Sequence, residues 1–181
     1  MSPICHWART ALSLASGHGH RQELGGSGGR RAGRARLDSS SRAALLLTAL
    51  AGRVEQWALI EATRDVVRRQ VDVEVLDPLV TLGLAAIDRG WVRVPCDDVR
   101  ASVVSTALPS QLQLSHVALA RLPSTDALAR GCHLTHAASG PSREAAELAL
   151  VTARGLQSAG RPHSARVMLE QAARLSVQTA S

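Results

Sequence analysis

Apolar and polar positions divide the chain into two stretches. Up to Arg36 they follow no period, and GHGHRQELGGSGGRRAGRAR sets glycine, arginine and histidine beside single aliphatics. From Asp38 onward apolar residues recur at the three- and four-residue spacing of amphipathic helices, interrupted by glycine, proline and short polar clusters. Asp38 and Ser39 offer N-cap oxygens before RAALLLTALAG, whose Leu45, Leu46, Ala49 and Leu50 repeat on one face until Gly52. This predicts a first helix. A second run, VEQWALIEATRDVVRRQ, predicts a helix that turns Val54, Trp57, Ala58 and Ile60 toward a core and Arg64, Arg68 and Arg69 toward water. VDVEVL alternates like a short strand. Asp77 followed by Pro78 predicts a helix start, cap then first-turn proline, with Leu79 and Leu82 inward and Gly83 as the stop. LAAI and WVRV flank Asp88, Arg89 and Gly90, which predicts a β-hairpin because Gly90 permits the positive φ of a tight turn.

Helix, helix, short helix and hairpin is a winged-helix order. The segments that follow, DDVRASVVSTAL, SQLQLSHVALARL, TDALARGCHLTHAAS, SREAAELALVTARGLQSA and PHSARVMLEQAARLS, all read as helices punctuated by Pro109, Pro123, Pro141 and Gly160. In the last pair, counting from Ala146, the residues Ala153, Leu156, Gly160, Ala165, Leu169 and Ala172 fall on the packing positions of a tetratricopeptide hairpin. Ala153 and Ala165 would let two antiparallel helices approach, Leu156 and Leu169 would fill the space between them, and Gly160 would turn the chain. Because a helical repeat buries its apolar face by stacking on neighbours, Leu156, Ala165, Met168, Leu169 and Ala172 form a candidate interaction face, for a protein partner or a second copy.

Composition supports a helical core. The 181 residues are 45% apolar with mean hydropathy +0.02, and aromatics make up 2%, all of them Trp, so the interior must be Leu, Val and Ala. That palette fills helix interfaces better than sandwiches or barrels, and disfavours an all-β fold. Lys, Asn, Phe and Tyr are absent, the signature of a GC-rich coding sequence. No apolar run reaches the roughly 18 residues of a membrane span, and ALSLASG is too short for a secretory h-region. Cys5, Cys96 and Cys132 are an odd number without framework spacing, which fits a reducing cytoplasm. The formal net charge of +6 is concentrated in the aperiodic stretch, where Arg9, Arg21, Arg30, Arg31, Arg34 and Arg36 face Glu23 alone and leave +5. Residues 1–37 thus read as a flexible basic arm. One reading of the arm is a solvated tail, or coding sequence taken from too early a start codon. The other is a non-specific nucleic-acid contact, in which Arg30, Arg31, Arg34 and Arg36 track phosphates without reading bases.

The collinear order of these motifs resembles a family. LDSSSRAALLLTALAG, VEVLDPLVTLGLAAIDRGWVRV, DDVRASVVSTALPSQLQLSHVALARL, ARGCHLTHAASGP and AAELALVTARGLQSAGRPHSARVMLEQAARL, from Leu37 to Leu175, resemble the middle of the large LuxR-type ATP-binding transcriptional regulators. In those proteins a P-loop ATPase precedes a winged helix and tetratricopeptide-like helices, and a DNA-binding helix-turn-helix follows. The resemblance covers the winged helix and the first repeat only, and implies a part of such a regulator, truncated or split. It does not carry over ATPase activity: the chain has no Lys to reach the β and γ phosphates, and GGSGGRR places Arg30 and Arg31 where a P-loop has Lys then Ser or Thr. Val94, Pro95, Cys96, Asp97 and Asp98 stand where the family carries a Phe-x-His-Pro-Leu element.

Other chemistry is sparse. Cys132 and His136 share a helix face at i and i+4 with His133 beside them, but zinc wants four ligands or three plus water, and Cys96 lies in another segment. His133 reads as a packing or hydrogen-bonding residue, and the corresponding position in the resembled family holds a histidine without metal. Ser110, Ser115 and His116 lie in an amphipathic helix without a nucleophile elbow, and Asp97 with Asp98 reads as an N-terminal cap rather than an acid/base pair. The expectation is a mainly α, non-catalytic regulatory or interaction module without cofactor, metal or membrane association. It comprises a basic arm (1–37), a winged-helix-like segment with a short β-hairpin (38–94) and tetratricopeptide-like helical hairpins (95–181). The alternative is a nucleic-acid binder using the winged helix and the arm.

Overall fold

The structure is a computed structural model that describes residues 37–176. Residues 1–36 of the basic arm, with Arg30, Arg31, Arg34 and Arg36, lie outside the described residues, and Leu37, expected as the arm's last residue, is instead buried in the core. The described chain is mainly helical with one small three-stranded antiparallel sheet, and it divides into two compact units between Thr106 and Ala107.

The first unit opens with α1 (Ser39–Ala51). Asp38 Oδ1 accepts the Ser41 backbone N–H at 2.7 Å, and Gly52 ends the helix at φ 75° with its N–H on the Thr48 carbonyl. The expected single apolar face is too narrow. Ala44 to Ala49 are all buried while Leu50 is half-buried, because the helices Gln56–Val67 and Asp97–Thr106 and a 3₁₀ turn cover this one from several sides. Next comes β1 (Arg53–Glu55), which the sequence reading assigned to the second helix. Three residues cannot carry a period, so this strand is defined only by its partner. Helix α2 (Gln56–Val67) therefore starts late, and Ala58, Leu59, Ile60 and Ala62 are buried while Trp57 is 53% exposed, a correction to its expected core position. Val54 is buried as expected, but from the strand. VDVEVL forms a 3₁₀ turn (Val73–Leu76), not a strand. The Val75 carbonyl that a ladder would have used accepts Ser41 Oγ at 3.0 Å instead.

Helix α3 (Asp77–Thr81) has Pro78 in its first turn and buries Leu79. Its cap residue is Leu76, and Asp77 lies inside the first turn rather than before it. Gly83 then turns the chain at φ 63°. The expected hairpin is present as β2 (Ala86–Asp88) and β3 (Trp91–Arg93), with Ile87 opposite Val92 and Asp88 opposite Trp91. Arg89 and Gly90 both have positive φ, 49° and 79°, the geometry whose twist matches the strands. β3 is central, and pairs with β1 through Val92 opposite Val54. Helix α4 (Asp97–Thr106) keeps Asp97 and Asp98 in its first turn, where the helix dipole favours them, and buries Val99 and Val103. It packs on α1, and Arg100 Nε donates to the Ala49 carbonyl at 2.6 Å. It thus belongs with the first unit.

The second unit consists of α5 (Pro109–Arg121), α6 (Ala127–Ala137), α7 (Arg143–Ser158) and α8 (Pro162–Ser176), each packed on the next. Asp126 caps α6 and Ser142 caps α7, while Gly160 at φ 71° lets the chain reverse into α8. Small residues bring these helices close. A Cβ at Gly131 of α6 would overlap Thr152 of α7, and one at Gly155 would stand 2.5 Å from Leu128 Cδ2. Ala153, Leu156, Ala165 and Met168 form the core between α7 and α8, with Leu128 and Cys132 of α6 against it. Leu169 does not fill that space. It is 48% exposed, whereas Met168 is 2% exposed. The buried positions of α8 are 165, 168, 172 and 175, and a residue one step beyond Met168 is rotated about 100° out of that stripe.

Candidate functional site

Two places in the described structure combine accessibility with unusual side-chain chemistry, one in each unit. In the first unit, Trp57 and Ile60 of α2, Val73 of the 3₁₀ turn, Gln56 and Gly90 line an open depression of about 370 Å³. The late start of α2 creates it. Gln56 donates its backbone N–H to the Gly90 carbonyl at 2.8 Å, which fixes the helix start beside the hairpin turn and leaves Trp57 facing outward. Farther along the chain Asp72, Glu74 and Asp77 are exposed, as is Val80 on α3. Arg64 of α2 and Arg69 just beyond it are engaged. Arg64 contacts Glu61 at 2.8 Å and Asp72 at 3.6 Å and donates to the Val71 carbonyl, while Arg69 reaches Asp38 and the Ser39 and Ser40 hydroxyls. Across the β1–β3 pair, the Arg53 guanidinium lies 4.4 Å from the Trp91 ring centroid.

In the second unit, three imidazoles meet between α5 and α6. His116 Nδ1 and His133 Nδ1 are 3.0 Å apart, a hydrogen bond in which one ring is the donor tautomer and the other the acceptor. Their centroids are 5.2 Å apart, and the His136 ring stacks on His116 at 5.1 Å with 22° between the planes. His133 and His136 lie at i and i+3 on one face of α6, and the antiparallel partner brings His116 to them. Burial pushes the His116 imidazole down to about 3, and the neighbouring His136 and His133 add to the effect. Burial and His136 push His133 down to about 4, and burial followed by Arg174 of α8 lowers His136. All three rings are therefore neutral at pH 7. Beside them, Ser115 is fully buried and its Oγ has no hydrogen-bond partner.

The structure joins His133 and His136 to His116, which periodicity alone places in a plain amphipathic helix. No local spacing could have paired them, because the contact spans 17 residues and the turn between two helices. Cys132 belongs elsewhere. It packs on the Ala153–Met168 core, and burial pushes its thiol up. Among the described residues no group of three or more His, Cys, Asp or Glu is arranged to hold a metal ion, and no helix is long and apolar enough to cross a membrane. Of the candidate interaction face, Leu156, Ala165, Met168 and Ala172 are buried within the unit. The large apolar side chains left exposed on α7 and α8 are Leu150, Val151, Val167 and Leu169. Comparison of the chain with family models, curated proteins and solved structures finds no match.

Proposed function

We propose that the chain is a non-catalytic regulatory and protein-interaction module of the cytoplasm, a part of a LuxR-type ATP-binding transcriptional regulator. In this reading the first unit is its winged helix and the second its first tetratricopeptide-like repeat. Support for the winged helix comes from the element order α1, β1, α2, α3, β2, β3 with the hairpin as wing. Support for the repeat comes from the small residues Gly131, Ala153, Gly155 and Ala165 at the helix crossings.

One observation favours protein over nucleic acid as the partner of the winged helix. Its third helix would be the one to enter a major groove. Here that helix reads DPLVT, without a basic residue, and Asp72, Glu74 and Asp77 in and before it would face phosphates with like charge. It exposes Val80, and the turn before it exposes Val73. Such a surface suits an apolar protein contact. The exposed Leu150, Val151, Val167 and Leu169 offer a second one, to a partner or another copy.

Fluorescence anisotropy with mixed-sequence and defined duplexes tests this reading. We expect any DNA affinity of the full chain to be sequence-blind, to fall steeply with salt through counterion release, and to vanish on deletion of residues 1–36. An arm-less chain that still preferred one duplex would overturn the reading and install the nucleic-acid alternative.

A further inference from the structure

The His116, His133 and His136 cluster lies outside the surfaces on which the proposed function rests. We infer that the α5–α6 hairpin is an acid-sensitive latch, in which proton entry into the three-imidazole cluster releases α5 from α6 while the first unit stays folded. The geometry has room for one imidazolium at most in the His116–His133 pair. The 3.0 Å contact between His116 Nδ1 and His133 Nδ1 needs one lone pair, and protonating both rings leaves two N–H groups aimed at each other. His136 stacked at 5.1 Å on His116 adds a third group that becomes cationic. From the elements packed on the cluster, the charged side chain that acts on it is Arg174 of α8, already positive. The groups acting on the three rings are thus each other and one arginine, so every added charge meets a like charge.

The direction of the response follows from linkage. In the opened hairpin the rings titrate near the ordinary 6.5, whereas in the closed one His116 and His133 are held down to about 3 and about 4. Well above 6.5 neither form takes up protons and the latch is at full strength. As pH falls below 6.5 the open form binds protons that the closed form refuses, so opening becomes easier, by up to about tenfold per imidazole per pH unit. The described part of the first unit, Leu37 to Thr106, has no histidine and so brings no imidazole to this window. Opening would uncover Leu119, Ala120 and Leu122, which are buried in the closed hairpin.

Two measurements on the full chain decide it. In an NMR titration of the imidazole carbons, His116 and His133, assigned through single His→Gln variants, should titrate below pH 5 while the chain is folded; titration of either near 6.5 overturns the latch. Hydrogen exchange, corrected at each pH for the intrinsic rate, should show protection over 109–137 falling at least about tenfold between pH 7 and pH 5 with protection over 39–51 unchanged. Loss in both units together, or in neither, also overturns it. Replacing both hydrogen-bonded partners, His116→Leu with His133→Leu, removes a donor and an acceptor at once and should keep protection at pH 7 while flattening its pH dependence. If that double variant fails to fold, the titration of the native imidazoles remains decisive.

Discussion

The two units reach a buried interior by opposite means. The first fills its core with large aliphatics, Leu47, Leu59, Leu76, Leu79, Leu84 and Val92, and joins distant segments through polar bonds such as Ser41 to Val75 and Arg100 to Ala49. The second stacks neighbouring helices on glycine, alanine and threonine, and admits three imidazoles between α5 and α6. A core of volume is sensitive to what is removed, and a core of close approach to what is added. Only the second is also sensitive to protons near pH 6. One chain thus holds two stability profiles that respond to different perturbations.

The largest effect should separate them. Leu47→Ala deletes a side chain with no exposed surface and leaves a cavity among α1 and its covering helices, which should cost about 3–5 kcal/mol of first-unit stability by denaturant titration. The matching lesion in the second unit is an addition: Gly131→Ala puts a Cβ into Thr152 and should cost about 1–3 kcal/mol there. If Gly131→Ala is neutral, α6 and α7 can slide apart freely, and the contrast between the units fails.

A pair of adjacent residues sharpens the same contrast within α8. Met168→Asp buries an unpaired carboxylate in the α7–α8 core and should lower the second unit's stability by several kcal/mol, on the order of 3 or more. Leu169→Asp should stay within about 0.5 kcal/mol, because the side chain already faces solvent. Thermal melts of the two variants check this. Equal losses would mean that the helix is rotated from its observed setting, with Leu169 inward as a simple repeat register expects.

That one-residue difference shows what the sequence makes legible. The helix boundaries from Pro109 to Ser176 follow from prolines, glycines and caps that act locally, as does the hairpin through Arg89 and Gly90. The face of a helix is harder. Met168 and Leu169 are both apolar, and choosing between them needs the packing against α7, where Ala153 and Leu156 meet Met168 from another helix. Trp57 fails for a related reason: its helix begins two residues later than periodicity suggests, because Arg53–Glu55 is drawn into the sheet by β3, nearly forty residues downstream. The histidine cluster was half visible. His133 and His136 share a face by spacing alone, but His116 joins them only when α5 and α6 fold back on each other.

A smaller loss than those of the core lesions concerns the start of α1, where the first unit carries its own titratable device. Asp38 accepts the Ser41 N–H at 2.7 Å and lies 3.3 Å from Arg69 Nη2, and the backbone hydrogen bond, with Arg69 contributing, holds its carboxyl below the usual 3.8. The sign is opposite to that of the imidazoles. A depressed carboxylate adds stability above its ordinary value, and that share is lost as pH falls below about 3.8. Asp38→Ala should remove a cap worth about 1 kcal/mol, while Asp38→Asn should keep most of it, since an amide oxygen also accepts from N3. The ion pair adds little, because both partners are largely solvated. Urea midpoints of the three proteins at pH 7 and pH 5 test both halves. The Asp38→Ala deficit should be the same at the two values, since the carboxyl is ionised at each, while the second unit weakens between them. A deficit that shrank markedly by pH 5 would place the Asp38 carboxyl in the window assigned to the imidazoles, and the two units would no longer be separable by acid.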